Sequence, residues 1–426
     1  MKRNNAWTLA LIGAGIVSLP AVTPAEEKPS AVMTALSSTT ISGYVDTSAQ
    51  WNLGSGNANV PTYAFGGTSK ADGFNLNVVK LALEKPVDAA DAWGAGYKTE
   101  LLFGPDANTL NTVSSGNQGD FAIKQAYVAL HAPIANGLDF KVGVFDTIIG
   151  YEGFDASSQP NFTRSYGYTI EPTTHTGILM SYQFCDWLAA SVGIANTYGP
   201  TINGRAFLNG GTALAQVPDP NNPGGTIGAQ GPDAESYKTY MASATFTAPT
   251  NWNYLAGATL TGCAINGFNS GSTSGGAADQ HSFYIGGTMN TPVTGLKVGA
   301  CYDYAGTSSD QGSDMNGVPI PSSHANAVAA YCSFQATEKM SLYGRAEYAS
   351  ASTPSPFLAK EVVAFTATVQ YDLWKNVLSR IEARWDHACT GSPYGGTSPG
   401  PASPTNPNGG SEKNSVIFLA NVTYKF

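Results

Sequence analysis

The sequence predicts an all-β fold, a transmembrane antiparallel up-and-down β-barrel of about 16 strands. Three observations predict it. Apolar and polar residues alternate through one segment after another, the period-two pattern of strands whose two faces differ chemically. Short and long connections alternate between those segments. Finally, only 12% of the 426 residues are charged, while 42% are hydrophobic and 48 are glycine. A water-exposed globule carries about a quarter or more charged residues on its surface, so this chain is under-charged for one. After its first 25 residues it holds no apolar run of about 20 residues, which excludes helical membrane spans there.

The N-terminus reads as a secretory signal over residues 1–25. Lys2 and Arg3 supply the positive start, "AWTLALIGAGIVSL" the apolar stretch, and "VTPA" before Glu26 a cleavage site after Ala25. Residues 26–39 are expected to be a periplasmic lead-in and residues 40–426 the barrel. Losing Lys2 and Arg3 takes the net charge from −9 to about −11, which argues against nucleic acid as a partner.

The clearest strands follow in chain order. "NVVKLALEKP" sets Val79, Leu81 and Leu83 against Lys80, Ala82 and Glu84. "AWGAGYKTELLFG" sets Trp93, Ala95, Tyr97, Thr99, Leu101 and Phe103 against Lys98 and Glu100. "FAIKQAYVALHA" is a strand whose register is ambiguous, so Lys124 takes no face. "GLDFKVGVFD", "GLKVGACYDYAG" and "KMSLYGRAEYAS" repeat the design. "NVLSRIEARWDHA" puts Arg380, Glu382, Arg384 and Asp386 in one row, opposite Ile381, Ala383 and Trp385. The chain closes on "SVIFLANVTYKF", in which Val416, Phe418, Ala420, Val422, Tyr424 and Phe426 share a side; Ile417 and Leu419 break the polarity of the other side. This strand is expected to pair with "TISGYVDTSAQWNL", because a closed barrel leaves no backbone group unpaired in lipid.

The connections carry as much information. "PIANG", "CD", "PTN", "TPVT", "ATEK" and "DLWKN" are tight; residues 53–72, 104–120, 147–172, 198–235, 267–280, 306–322 and 388–412 are long and rich in Gly, Ser, Asn and Pro. Long structureless loops would count against a compact soluble domain. Their alternation with tight turns suits an outer-membrane barrel, turns on the periplasmic side and loops outside. Five scattered cysteines without a CxxC pair and five histidines without HExxH give neither a disulfide scaffold nor a metal signature, and no cofactor is expected. Asp386 and His387 are adjacent, and neighbouring strand residues point to opposite faces. They make a poor catalytic dyad, and an enzyme is not expected.

"ISGYVDTSAQWN", "NVVKLALEKP", "KQAYVALHAP" and above all "GLDFKVGVFDTIIGYEGFD…PNFTRSYGYTIEPTTHTGILMSYQF" resemble the outer-membrane β-barrel porin-2 family. The resemblance covers most of residues 40–200 and beyond that rests on strand pattern. It implies a diffusion channel of a Gram-negative-type outer membrane, similar in architecture to general porins, which are often trimers. Tyr424 and Phe426 resemble the C-terminal aromatic signature by which the barrel-assembly machinery recognises such proteins.

The candidate site follows from both lines of reasoning. About 16 strands enclose a lumen wide enough for water, and selectivity then depends on width and lining charge. Loop 147–172, the third long loop, is expected to fold inward with Glu152, Asp155 and Arg164 at a constriction. Lys98, Glu100, Arg345, Glu347, Arg380, Glu382, Arg384 and Asp386 face inward by period. Arg345, Arg380 and Arg384 are expected to form a basic wall across from Glu152 and Asp155, with a field between them that orients dipolar solutes. Two alternatives stand beside that wall. The charged rows could form a cross-strand ion-pair ladder, and Arg164 could pin the loop to the wall. His175 is expected to be a structural hydrogen bonder at a strand start. Small hydrophilic solutes and ions are the expected cargo, with weak cation preference. The alternatives are a substrate-specific channel for a sugar or similar solute, and a barrel sheath around a periplasmic redox partner.

Overall fold

In the computed structural model, residues 39–426 are described except 55, 89–91, 115–118, 207–215, 219–225, 229–235, 269–278, 309–320 and 353–354. The expected signal segment and nearly all of the lead-in lie outside the described residues, as do parts of five long loops. The first strands are β1 (Thr40–Leu53), β2 (Gly73–Lys85), β3 (Gly94–Phe103), β4 (Phe121–Ala132), β5 (Leu138–Asp146), β6 (Thr174–Cys185) and β7 (Leu188–Ala195). A small hairpin of β8 (Gln216–Pro218) and β9 (Thr226–Gly228) stands apart within a long loop. The barrel resumes with β10 (Thr239–Thr247), β11 (Thr259–Phe268), β12 (Asp279–Asn290), β13 (Leu296–Thr307) and β14 (Ser323–Gln335). It ends with β15 (Met340–Ala351), β16 (Glu361–Trp374), β17 (Val377–Ala388) and β18 (Asn414–Lys425).

All but β8 and β9 form one closed barrel of sixteen strands in which each pairs with its neighbours in the chain and β18 closes onto β1. Every pairing is antiparallel. At the seam, the Gly43 and Phe426 backbones exchange two hydrogen bonds of 3.0 Å. Tight turns lie at one end of the barrel and long loops at the other, so the predicted alternation holds.

Period two sets what each face does. Phe283, Ile285, Val328, Phe365, Ile381, Phe418 and Tyr424 point outward and are exposed, an apolar belt without a protein partner. Charged and hydroxyl side chains point inward. The ambiguity of β4 has a cause in the ladder: pairing to β3 jumps from Glu100↔Gln125 to Leu101↔Ile123. Lys124 is the extra residue of a β-bulge, so it and Gln125 both reach Glu100 inside the barrel. Asp386 is buried inside while the ring of His387 bonds Asn414 on the outer face, as the strand period requires.

Candidate functional site in the lumen

The loop between β5 and β6, residues 147–173, fills the middle of the barrel. It carries a 3-10 turn at Ala156–Ser158 and a short helix, α1 (Tyr166–Ile170), whose first N–H groups are met by Ser165 and Glu347. (The one other α-helical segment described, Pro105–Leu110, belongs to the loop before β4.) Loop backbone that packs against the wall is cut off from water there, so the wall must supply partners. It does so with charge. Glu382 accepts from the N–H groups of Phe162 and Thr163 at 2.6 and 2.9 Å and from the Thr163 and Thr368 hydroxyls. Arg380 donates to the carbonyls of Ala156 and Gln159, both at 2.7 Å. Arg384 donates to the Arg164 carbonyl at 2.7 Å and to Asp386, with its guanidinium over the ring of Tyr63. Asp386 in turn accepts from the Tyr166 hydroxyl.

Arg345 donates to Glu347, to Glu152 at 2.9 Å, and to the carbonyls of Thr163 and Arg164. Leaving charges of this kind buried without partners would cost several kcal/mol each. Here every nitrogen of each of the three guanidiniums meets at least one acceptor.

This geometry corrects the expected transverse field. No water gap separates Glu152 from the arginines, because it is in contact with Arg345 and also accepts from Tyr331 and the Ser165 N–H. Asp155 does not face them at all. It binds Lys80 on β2 at 2.8 Å and accepts from Tyr44 on β1. Burial alone would raise the Asp155 carboxyl, but Lys80 and then Lys124 hold it below its ordinary value. Nor does the Arg164 guanidinium pin the loop to the wall: it donates to the carbonyls of Phe154 and Phe162, tying the loop to itself, and lies over Phe65 and Tyr168. The inward rows on β15 and β17 therefore do not line open water. Arg345, Glu347, Arg380, Glu382, Arg384 and Asp386 face inward as expected but are buried beneath the loop, an ion-pair ladder along the wall that also cradles the loop. The reason is chemical: a folded-in segment brings many backbone donors and acceptors, and arginine and glutamate are the side chains that saturate them.

Lys98 and Glu100 part company. Lys98 is partly exposed toward the tight-turn end, while Glu100 is buried among Lys80, Lys98, Lys124 and Gln125. Lys80, Lys124 and Asp146 belong to the same cluster and were missed as candidates. Lys80 stood on the polar face of a legible strand and could have been included. Lys124 could not, because a bulge hides its face. His175 is buried at the start of β6 with Nε2 against Thr147 Oγ1.

The opposite half of the lumen is apolar. Ile148, Ile149 and Tyr151 of the loop pack with Phe145, Leu179, Met241, Ile265 and Tyr284 of the wall. The Tyr151 ring stacks on Tyr331 at 4.0 Å and occupies the space that a side chain at Gly299 would need. Ile417 and Leu419, the residues that broke the polarity of the last strand, are buried under the loop. Among the described residues no group of three or more His, Cys, Asp or Glu could hold a metal ion.

Residues 38–426 match the beta-barrel porin-2, OmpL-like family. The chain belongs to the porin-2 family. No curated protein matches it. Among solved structures this porin-2 chain is similar to the outer-membrane channel DcaP of Acinetobacter baumannii. That match has a TM-score of 0.54 and 11% identity, over 91% of this chain and 97% of the other. It is also similar to an anion-selective porin from Comamonas acidovorans, with a TM-score of 0.53 and 13% identity, over 91% and 99% of the two chains. OmpF of Salmonella typhi in complex with daunomycin gives 0.52 and 11% over 91% and 97%. These likenesses show the fold of an outer-membrane channel; at such identities the lumen of the porin-2 chain has to be read from its own side chains.

Proposed function

We propose that this protein is an outer-membrane porin for the passive diffusion of small hydrophilic solutes and ions. The observation that carries the reading is the sixteen-strand closed barrel with an apolar exterior and a charged interior, an arrangement that lipid outside and water inside would select. In this reading the long loops face outward, residues 1–25 direct export and are removed, and Tyr424 and Phe426 serve recognition by the assembly machinery. Homotrimers are the expected oligomer. The loop-borne Glu152, Asp155 and Arg164 set the constriction by holding the loop's position rather than by exposing charge to the solute. Lys98, Lys297 and Ser333, partly exposed near the tight turns, line the periplasmic vestibule. A sugar-specific channel is less well supported, because among the described residues the inward rings of Tyr151, Tyr166, Tyr284 and Tyr331 are buried between loop and wall.

The test is reconstitution of the purified barrel in a planar lipid bilayer, with conductance and reversal potential recorded under a salt gradient. Discrete ohmic steps with mild ion selectivity are expected. A folded, inserted barrel that gives no steps under any condition, including after shortening of the third loop, would remove the diffusion reading.

A further inference from the structure

We propose that the third loop closes the lumen in this conformation, and that a proton shared between Glu171 at the loop's end and Asp303 on β13 fastens it there. The inference rests on the diffusion-channel reading. Each of the sixteen barrel strands contributes at least one inward side chain with less than a tenth of its surface exposed, from Asp46 on β1 to Asn421 on β18. On every strand, then, the loop and the wall shield inward side chains from water.

The loop's attachments are unequal. On the side of β15–β17 it is held by many directed bonds. On the side of β11–β13 it rests on the apolar cluster, where the polar contacts are the Cys263 thiol of β11 donating to the Ile148 carbonyl and a contact between two acids. Asp303 is 2% exposed, and apart from the weak thiol donor of Cys301 beside it neither carboxylate oxygen receives a hydrogen bond. Its neighbour is the Glu171 carboxyl, which lies against Gly150 at the loop's other end, while the Gly167 backbone of α1 touches Asp303 itself. The other titratable groups facing the pair are Glu152 and Tyr168 from the loop, Cys263 from β11, Tyr284 from β12, Cys301 from β13 and Tyr198 from the loop after β7. None is a cation. Two acceptor-only carboxylates cannot satisfy each other, and like charges in contact cannot both ionise. One shared proton turns the repulsion into a hydrogen bond and supplies the missing donor.

Burial, and then Asp303, push the Glu171 carboxyl well above its ordinary value. A raised value means that the proton is bound from acid pH upward and is lost as pH rises through the shifted value. Ionisation then sets two charges against each other in apolar surroundings, and the loop's end is driven off β13. Gly150, at a φ of 123° that side-chain-bearing residues rarely adopt, is the turn about which the loop can swing.

Open-state occupancy in planar bilayers, followed from about pH 5 to about pH 9, tests this directly, because one proton shifts the equilibrium by at most about tenfold per pH unit. The unaltered barrel is expected to be closed at acid pH and to open about tenfold more often per unit through the transition. Asp303→Asn supplies an amide donor to Glu171 whatever the pH, and that variant is expected to stay closed throughout. Glu171→Gln, on the loop rather than the wall, should do the same and serves if the first variant does not fold, with folding scored by heat-modifiable gel mobility. Full conductance at every pH, or an Asp303→Asn barrel that opens like the parent, overturns the latch. A barrel that never opens while its loop-shortened form conducts also overturns it. If the folded, loop-shortened form is silent as well, the channel reading fails instead.

Discussion

Glu382 and Arg345 show what buried charge is for in this lumen. Each reaches the backbone of the third loop from a different strand, and each meets several partners at once. A hydrogen bond to a charged group contributes about 1.5–3 kcal/mol, and an abandoned buried donor costs about as much. Glu382→Gln keeps the shape, but its amide N–H₂ replaces one of the two accepting oxygens and so faces either the Phe162 or the Thr163 N–H, donor against donor. The loop should lose about 2–3 kcal/mol of attachment, which opens it roughly 30- to 150-fold more often. Trypsin cleavage after Arg164, buried in the intact loop, measures that opening: the variant should be cut faster by that factor while the barrel itself keeps its gel mobility. Equal cleavage rates would mean that Glu382 adds nothing the apolar flank does not already provide.

At the scale of the element, the wall of β14–β16 is shaped to receive the loop by what it lacks. Ala325, Ala327, Ala349, Ala351 and Ala364 point inward and enclose Tyr166, Tyr63 and Phe357. Ala349→Leu fills one of these seats without touching any charge. Overpacking of this kind costs about 1–3 kcal/mol, and the cheaper relief is for the loop to lift rather than for the ladder to break. The buried thiols report it. The five cysteines are free, and Cys263 and Cys301 lie in the apolar cluster, Cys263 donating to the Ile148 carbonyl at 2.9 Å. A water-soluble maleimide should modify Cys389, exposed in the loop after β17, in the parent, and Cys263 and Cys301 as well in the variant. Protection unchanged in Ala349→Leu would show that the seat has slack.

These elements also show what could be read beforehand. Strand faces were legible wherever the ladder was regular, because period two is a local property of the chain. β4 was not, because one bulged residue shifts the phase within a single strand. The inward row of Arg380, Glu382, Arg384 and Asp386 was legible as a row, but its partners were not. Whether a charge meets water or a loop carbonyl depends on a segment about 220 residues away, and nothing near it in the sequence encodes that. Alanines at inward positions gave no signal, since a small residue reads as neither apolar nor polar. The acids Glu171 and Asp303 were likewise invisible as a pair.

For the whole molecule the decisive bond is the seam, because a barrel open at one pair of strands exposes unpaired backbone to lipid along its full height. Two features close it. Asp46 accepts from Asn77 on β2 and from Asn421 and Thr423 on β18, joining three strands on the inner face. On the outer face the Phe426 ring lies over Gly43, filling the place where that residue has no side chain. A Cβ at Gly43 would meet both that ring and the Lys80 carbonyl. Gly43→Val should therefore destabilise the closed barrel by about 1–3 kcal/mol, and the loss should be read in the seam and not in the lumen. The heat-modifiable form should melt at lower temperature and refold in lower yield, while trypsin protection at Arg164 in the surviving folded fraction stays at the parent level. If loop protection falls with the seam, the third loop and the barrel wall are one cooperative unit; if it holds, the loop is an independently fastened part, as a latch within a self-standing barrel requires.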